Sequence, residues 1–137
     1  MKLAEKYVFS SSTISTIDKD AIAQNDPGYG FILMERAAKF SFEALMSNNP
    51  SSLTVFCGPG NNAGDGYLLA KMAIESGLIT KVITIESEGI LKGDAKNARD
   101  AFKKAGGLIE KWSPNISLSS DWVVDAIFGI GLNRDIE

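Results

Sequence analysis

Histidine is missing from all 137 residues, and cysteine occurs once, at Cys57. Without histidine the chain has no imidazole general base, no Ser-His-Asp triad and no His-ligated metal site. Acid–base chemistry therefore falls to carboxylates, lysine or tyrosine. One cysteine excludes an internal disulfide, which fits a reducing, cytoplasmic compartment. Proline is sparse, with four residues, and no apolar run approaches the about 20 residues that span a bilayer. The N-terminus, Met1-Lys2-Leu3-Ala4-Glu5-Lys6, carries charge where a signal peptide needs its apolar core. No membrane partner is expected. Basic charge is scarce as well: a net charge of −3 and no basic cluster beyond Lys103-Lys104 argue against nucleic acid as a partner.

What is present is ordinary globular composition, 45% hydrophobic and 23% charged, at a length that fits one domain. Ser10-Ser11-Ser12 offers N-cap oxygens to a helix over about 13–24, with Ile14, Ile17, Ala21 and Ile22 as its apolar stripe. The turn-rich stretch 25–30 separates it from a second helix over about 31–46. Strand 53–56, helix 64–76, strand 81–85, helix 94–105, a short strand at 108–109 and strand 122–127 follow. The last is a near-continuous apolar run of the kind buried on both faces of a parallel sheet. This order predicts an α/β fold: a Rossmann-like three-layer α/β/α arrangement with a mostly parallel sheet, preceded by two N-terminal helices. The chain reaches Glu137 soon after its last strand, so the expectation is the front part of a larger domain.

The most informative segment is Cys57-Gly58-Pro59-Gly60-Asn61-Asn62-Ala63-Gly64-Asp65-Gly66, between a strand and a helix. Four glycines, two amides and a carboxylate stand where backbone N–H groups and the positive end of a helix dipole converge, an arrangement that suits phosphate. It is neither a Walker loop nor a dinucleotide fingerprint, because the spacing differs and no Gly-Lys-Ser/Thr follows. The competing reading is a tight strand-to-helix turn that only needs glycine. Asp65 either caps the helix or meets a ligand, and Cys57 reads as a small buried hydrophobe. Asp125 interrupts the apolar strand at its C-terminal end and precedes Ala126-Ile127-Phe128-Gly129-Ile130-Gly131-Leu132. Ligands of parallel α/β sheets bind outside the carboxyl ends of the strands, so the two glycine-bearing loops can face one crevice. Asp125 then binds a cation, orients a hydroxyl, moves a proton, or caps its own loop. Glu35 is read as a solvated position able to support the site from behind, and Trp112 and Trp122 as packing residues.

Three blocks in order resemble the YjeF N-terminal domain family, the NAD(P)H-hydrate epimerases. They are Ile17-Asp18-x-x-Ala21-Ile22 with Leu33-Met34-Glu35-Arg36-Ala37-Ala38, then Gly58 to Gly66, then Val124 to Leu132. The resemblance implies an isomerase that interconverts the R and S epimers of NADHX and NADPHX, nicotinamide cofactors hydrated at C6. It implies a dehydratase partner, fused or separate, dependent on ADP or ATP, and a homodimer. It also implies that Asn61, Asn62, Ala63, Gly64 and Asp65 contact substrate, together with Gly129, Ile130, Gly131, Leu132, Asn133, Arg134 and Asp135. A potassium ion is implied as cofactor, with Asn62 and Asp125 as ligands. Ala63 departs from the family's usual glycine, and Ile130 stands where threonine is common. The family's acid–base aspartate, in an Asp-Ile-Pro-Ser-Gly-Leu segment, is expected beyond Glu137, so no catalytic residue is assigned and little turnover is expected of these residues alone. The alternative is a non-catalytic nucleotide-binding or dimerisation scaffold of the same fold. A sugar or nucleotide kinase is discounted, since no phosphate-binding lysine or Mg²⁺ pair is offered.

Overall fold

A computed structural model describes residues 10–85, 90–129, 132 and 135. Helix α1 spans Ser11–Ala23; the side chain of Ser10 accepts the amide of Thr13 at 3.2 Å, the N-cap that the serine run predicts. Helix α2 spans Tyr29–Met46 and follows Gly28, whose φ of +102° is a left-handed conformation open to glycine. Then come β1 (Ser52–Cys57), α3 (Asn61–Glu75), β2 (Ile79–Thr84), α4 (Gly93–Lys104), β3 (Ile109–Lys111) and β4 (Trp122–Ala126). Every predicted element is present.

The four strands form one parallel sheet in the order β3-β2-β1-β4. Successive strand residues alternate faces. Leu53, Val55 and Cys57 of β1 therefore look toward α3, as do Val82 of β2 and Ala126 of β4, and all are buried. α3 lies on this face against β1, β2 and β4, and α2 and α4 pack against α3. Tyr67 and Phe102, whose ring centroids are 6.1 Å apart, fill the space between α3 and α4. Two glycines let α3 come this close. A Cβ on Gly66 would stand 2.6 Å from the Ala126 Cβ, and one on Gly64 would stand 3.1 Å from the Cα of Ala95.

The opposite face is crossed by residues 113–120, which lead from β3 back to the start of β4. Lys81 donates to the Ser117 carbonyl at 3.3 Å, and Ser120 donates to Thr54 at 2.8 Å. The second bond satisfies a hydroxyl that is otherwise buried in β1. At the start of β4, Asp121 ties that strand to β1. One of its oxygens accepts the amide and hydroxyl of Ser51 at 3.0 and 3.1 Å, the other those of Ser52 at 2.7 and 2.8 Å. These bonds, the Ser51 amide first, hold the carboxyl well below the usual carboxylate range. A depressed carboxylate contributes stability above its unfolded value and loses it as pH falls. Asp121→Ala is thus expected to lower the melting temperature by a few degrees at pH 7. The gap from the wild type should shrink as the pH drops below about 4. Equal melting curves at pH 7 would show that this clamp holds nothing.

One expectation is corrected. β4 is not buried on both faces: Trp122 is 37% and Val123 49% exposed. Among the described residues β4 has β1 as its neighbour on one side and none on the other, so it is an edge strand. An apolar run reports a strand without reporting its place in the sheet. Trp112 is likewise half exposed, so neither tryptophan belongs to the core. No helix among the described residues is long and apolar enough to cross a membrane.

Candidate functional site

The chain runs outward from β1 through β2 to β3 and then returns to place β4 on the other flank of β1. The strand order reverses between β1 and β4. In parallel α/β sheets this switch point opens a crevice at the carboxyl ends of the strands. Here a cleft of about 890 Å³ occupies it, lined by the loop after β1, the first turns of α3, the loop after β4, one side of α2 and one side of α1.

The glycine-rich segment divides into parts with different tasks. Gly58 sits against the other loop: its amide donates to the Ala126 carbonyl at 3.2 Å, and a Cβ there would lie 2.1 Å from the Ile127 carbonyl oxygen. Gly64 and Gly66 serve helix packing, as described above. Only Gly60 faces open space, with nothing within 4 Å of a Cβ built on it. The expectation that all four glycines converge on a ligand is therefore corrected to one. The others are required by close approach of backbone and side chains.

Gly60 is the N-cap of α3, in extended conformation at φ −105°, with no side chain capping the helix. The helix starts at Asn61, three residues before the predicted start, so Asn61, Asn62 and Ala63 form its first turn. Asn61 is exposed and Asn62 half-buried, and both line the cleft; Ala63 and Gly64 are buried. The amide of Asn62 donates to the Phe128 carbonyl at 3.1 Å. That bond fastens the start of α3 to the loop after β4, bringing together the two loops singled out from sequence.

Asp65 lies one turn further along α3, half-buried on the cleft wall, and makes no capping bond. Burial pushes its carboxyl up to about 6. Capping is thus excluded as its task, and it presents a polar group to the cleft. Cys57 is buried as expected, and burial pushes its thiol up to about 12, far from reactive thiolate chemistry.

Asp125 stands at the same rim but on the sheet face turned away from α3, since Ala126 beside it faces the helix. It is exposed, does not line the cleft, and accepts the Ile127 amide at 2.9 Å. Asn62 Oδ1 and Asp125 Oδ2 accept no hydrogen bond from the described residues. Such hard oxygens suit an alkali or alkaline-earth ion. Among the described residues no three His, Cys, Asp or Glu side chains cluster. Amide and backbone oxygens would have to complete any ion's shell. Gly129 and Leu132 line the cleft, and Asp135 is exposed; Ile130, Gly131, Asn133 and Arg134 lie outside the described residues.

Sequence reasoning missed the far wall. Ser15, Asp18, Lys19 and Ile22 of α1 and Met34 of α2 all border the cleft. Asp18, Ile22 and Met34 stand in the first of the family-like blocks without a site role, and Ser15 and Lys19 show only as a polar flank on an amphipathic helix. Glu35, by contrast, is exposed and does not line the cleft.

A family model described as YjeF-related protein N-terminus matches residues 30–137. The chain is 38% identical over 104 residues to the bifunctional NAD(P)H-hydrate repair enzyme Nnr of Escherichia coli, covering 74% of this chain and 20% of that protein. It is 36% identical over 107 residues to the Coxiella burnetii protein of the same name, covering 77% and 22%. It is 30% identical over 139 residues to an NAD(P)H-hydrate epimerase of Rhodobacter capsulatus, covering 94% and 65%. The chain thus spans about a fifth of the bifunctional relatives and 65% of the epimerase. The crystal structure of yeast ynu0 shares the fold, with a TM-score of 0.75 at 24% identity, covering 96% of this chain and 60% of that one.

Proposed function

The chain belongs to the family of YjeF-related protein N-termini, and on that premise we propose that its cleft binds NADHX or NADPHX and interconverts their R and S epimers. The observation that carries this reading is the Asn62–Phe128 bond at the β1/β4 switch point. It joins an uncapped helix start and a second loop around one cleft, with Asp65 on its wall. A volume of about 890 Å³ falls in the range of small-molecule and cofactor pockets. The relatives' printed names supply the substrate class.

The C6 hydroxyl of the hydrated ring belongs to a carbinolamine. Protonation of that hydroxyl, loss of water and return of water to either face exchanges the epimers without redox change. The site must hold the ring while this happens. Asn61 and Asn62 offer amide donors and acceptors to ribose or carboxamide, and Asp65 offers an acceptor to a hydroxyl. In this reading Gly129 and Leu132 contact substrate from the cleft wall, and substrate contacts are proposed for Ile130, Gly131, Asn133, Arg134 and Asp135 on the resemblance alone. A potassium ion, which the resemblance implies, would draw on the unbonded oxygens of Asn62 at the cleft and of Asp125 at the outer side of the same rim.

The S epimer would pass to a dehydratase, fused or separate, as the relatives' bifunctional names suggest. We place the protein in the cytoplasm, in line with its single cysteine, and expect it to act as a homodimer.

NADP⁺ serves as a stable probe. At tenfold excess over its dissociation constant it should stabilise the fold by about 1.4 kcal/mol, a melting shift of several degrees. Chromatography should then show an S-enriched NADPHX sample reaching its epimer equilibrium faster than in buffer when the protein carries the expected Asp-Ile-Pro-Ser-Gly-Leu segment, and little faster with residues 1–137 alone. A scaffold without nucleotide chemistry would leave both readouts unchanged, and that result would overturn the proposal.

A further inference from the structure

No described side chain of α1 belongs to the core, and its stripe is solvated, with Ile14 37%, Ile17 51% and Ile22 45% exposed. Yet α1 borders the cleft through Ser15, Asp18, Lys19 and Ile22. Ile22 sets its position: its Cδ1 lies 3.6 Å from a Cβ built on Gly30, the second residue of α2, so the end of α1 rests on the start of α2. A helix that buries so little contributes little to folding, and what it supplies is a wall.

The charges on that wall are unevenly matched to the ligand. Among the described residues that line the cleft, Asp18 and Asp65 are acidic and Lys19 alone is cationic. A dinucleotide brings a diphosphate bearing two negative charges into this acidic surround. Among the described residues, the opposite wall offers only the partial positive charge of α3's uncapped start, beside the open Gly60. Lys19 forms no ion pair with the described residues, so its ammonium is free to turn inward. α1 also lies outside the residues 30–137 that the family model matches.

Resting on the epimerase-site reading above, we infer that Lys19 is a substrate-binding residue whose ammonium pairs with the diphosphate of the bound dinucleotide across the cleft from Gly60. Since the diphosphate is common to both substrates, Lys19 strengthens binding without choosing between NADHX and NADPHX. An ammonium acts as a point charge on phosphate, so arginine can replace it.

The test is calorimetric titration of the wild type, Lys19→Ala and Lys19→Arg with NAD⁺, NADP⁺ and the phosphate-free nicotinamide riboside. Lys19→Ala should weaken both dinucleotides about tenfold and flatten the salt dependence of binding. It should leave the riboside unchanged. Lys19→Arg should stay within about twofold of the wild type. Because Lys19 is exposed, the melting temperature without ligand should not move in either variant. Wild-type binding with an equal affinity for Lys19→Ala would overturn this inference and leave the epimerase reading standing. A loss confined to NADP⁺ would overturn the diphosphate assignment in favour of the ribose phosphate. Failure of the wild type to bind either dinucleotide would overturn both readings.

Discussion

Gly58→Ala is expected to destabilise the fold by about 3 kcal/mol, or roughly 10 °C in melting temperature. The new methyl would stand 2.1 Å from the Ile127 carbonyl oxygen and 2.9 Å from its carbon. Both atoms are backbone, so no rotamer change relieves the overlap. The loop after β4 must shift, and with it the Gly58–Ala126 hydrogen bond and the Asn62–Phe128 tie. A loss of this size is a large share of the stability of an ordinary domain. The control is Gly60→Ala, two residues away in the same segment. There a Cβ meets nothing within 4 Å and φ is −105°, which any residue adopts. Its stability should stay within about 0.5 kcal/mol of the wild type, while the added methyl narrows the ligand's approach to α3. Denaturant melts of the two variants decide the matter. Equal stability would mean that the β1 and β4 loops do not approach as described.

Asp65→Asn should separate stability from function, because the wild-type carboxylate is held where burial disfavours its charge. Its folded value of about 6 lies above its unfolded one. A group raised in this way contributes stability that is complete below the unfolded value, about pH 4, and lost as pH rises through 6. The variant removes that loss. Near pH 4 it should melt with the wild type, and at pH 8 it should be more stable by about 1 kcal/mol, a figure reduced for the partial exposure of the site. Dinucleotide binding should move the other way, weakening about tenfold at pH 8 as a charged acceptor facing the ligand's hydroxyls is lost. Thermal melts across pH, paired with titration by NADP⁺, read both arms. A variant that binds as well as the wild type would remove Asp65 from the substrate wall.

Much of this was legible in the sequence because it is local. Ser10 announces the start of α1, and the β-branched run at 81–85 announces β2. The segment from Gly58 to Gly66 announces a strand-to-helix turn, and its resemblance to a known family agrees with the family match over residues 30–137. The errors share one origin. The apolar run of β4 suggested a central strand, yet it lies at an edge. The helix after β1 begins at Asn61 because Gly60 is extended, and an Asn-Asn pair does not declare whether it precedes a helix or opens it. Four glycines looked like a ligand cradle, and three of them accommodate neighbours distant in sequence: Ile127, Met34 with Ala95, and Ala126. No spacing rule reveals such partners.

By itself the sequence determined the elements, their parallel α/β class and the two glycine-bearing loops that border the cleft, because hydrophobic period, caps and turn residues act over a few neighbours. Tertiary structure alone decided that β4 lies beside β1 rather than beyond β3. That choice opens the cleft at the switch point, and the contact of α1 with the start of α2 brings Lys19 to its wall. The physical reason is range: strand order and wall membership come from packing between segments some sixty residues apart, such as Asn62 and Phe128, and no local pattern encodes them.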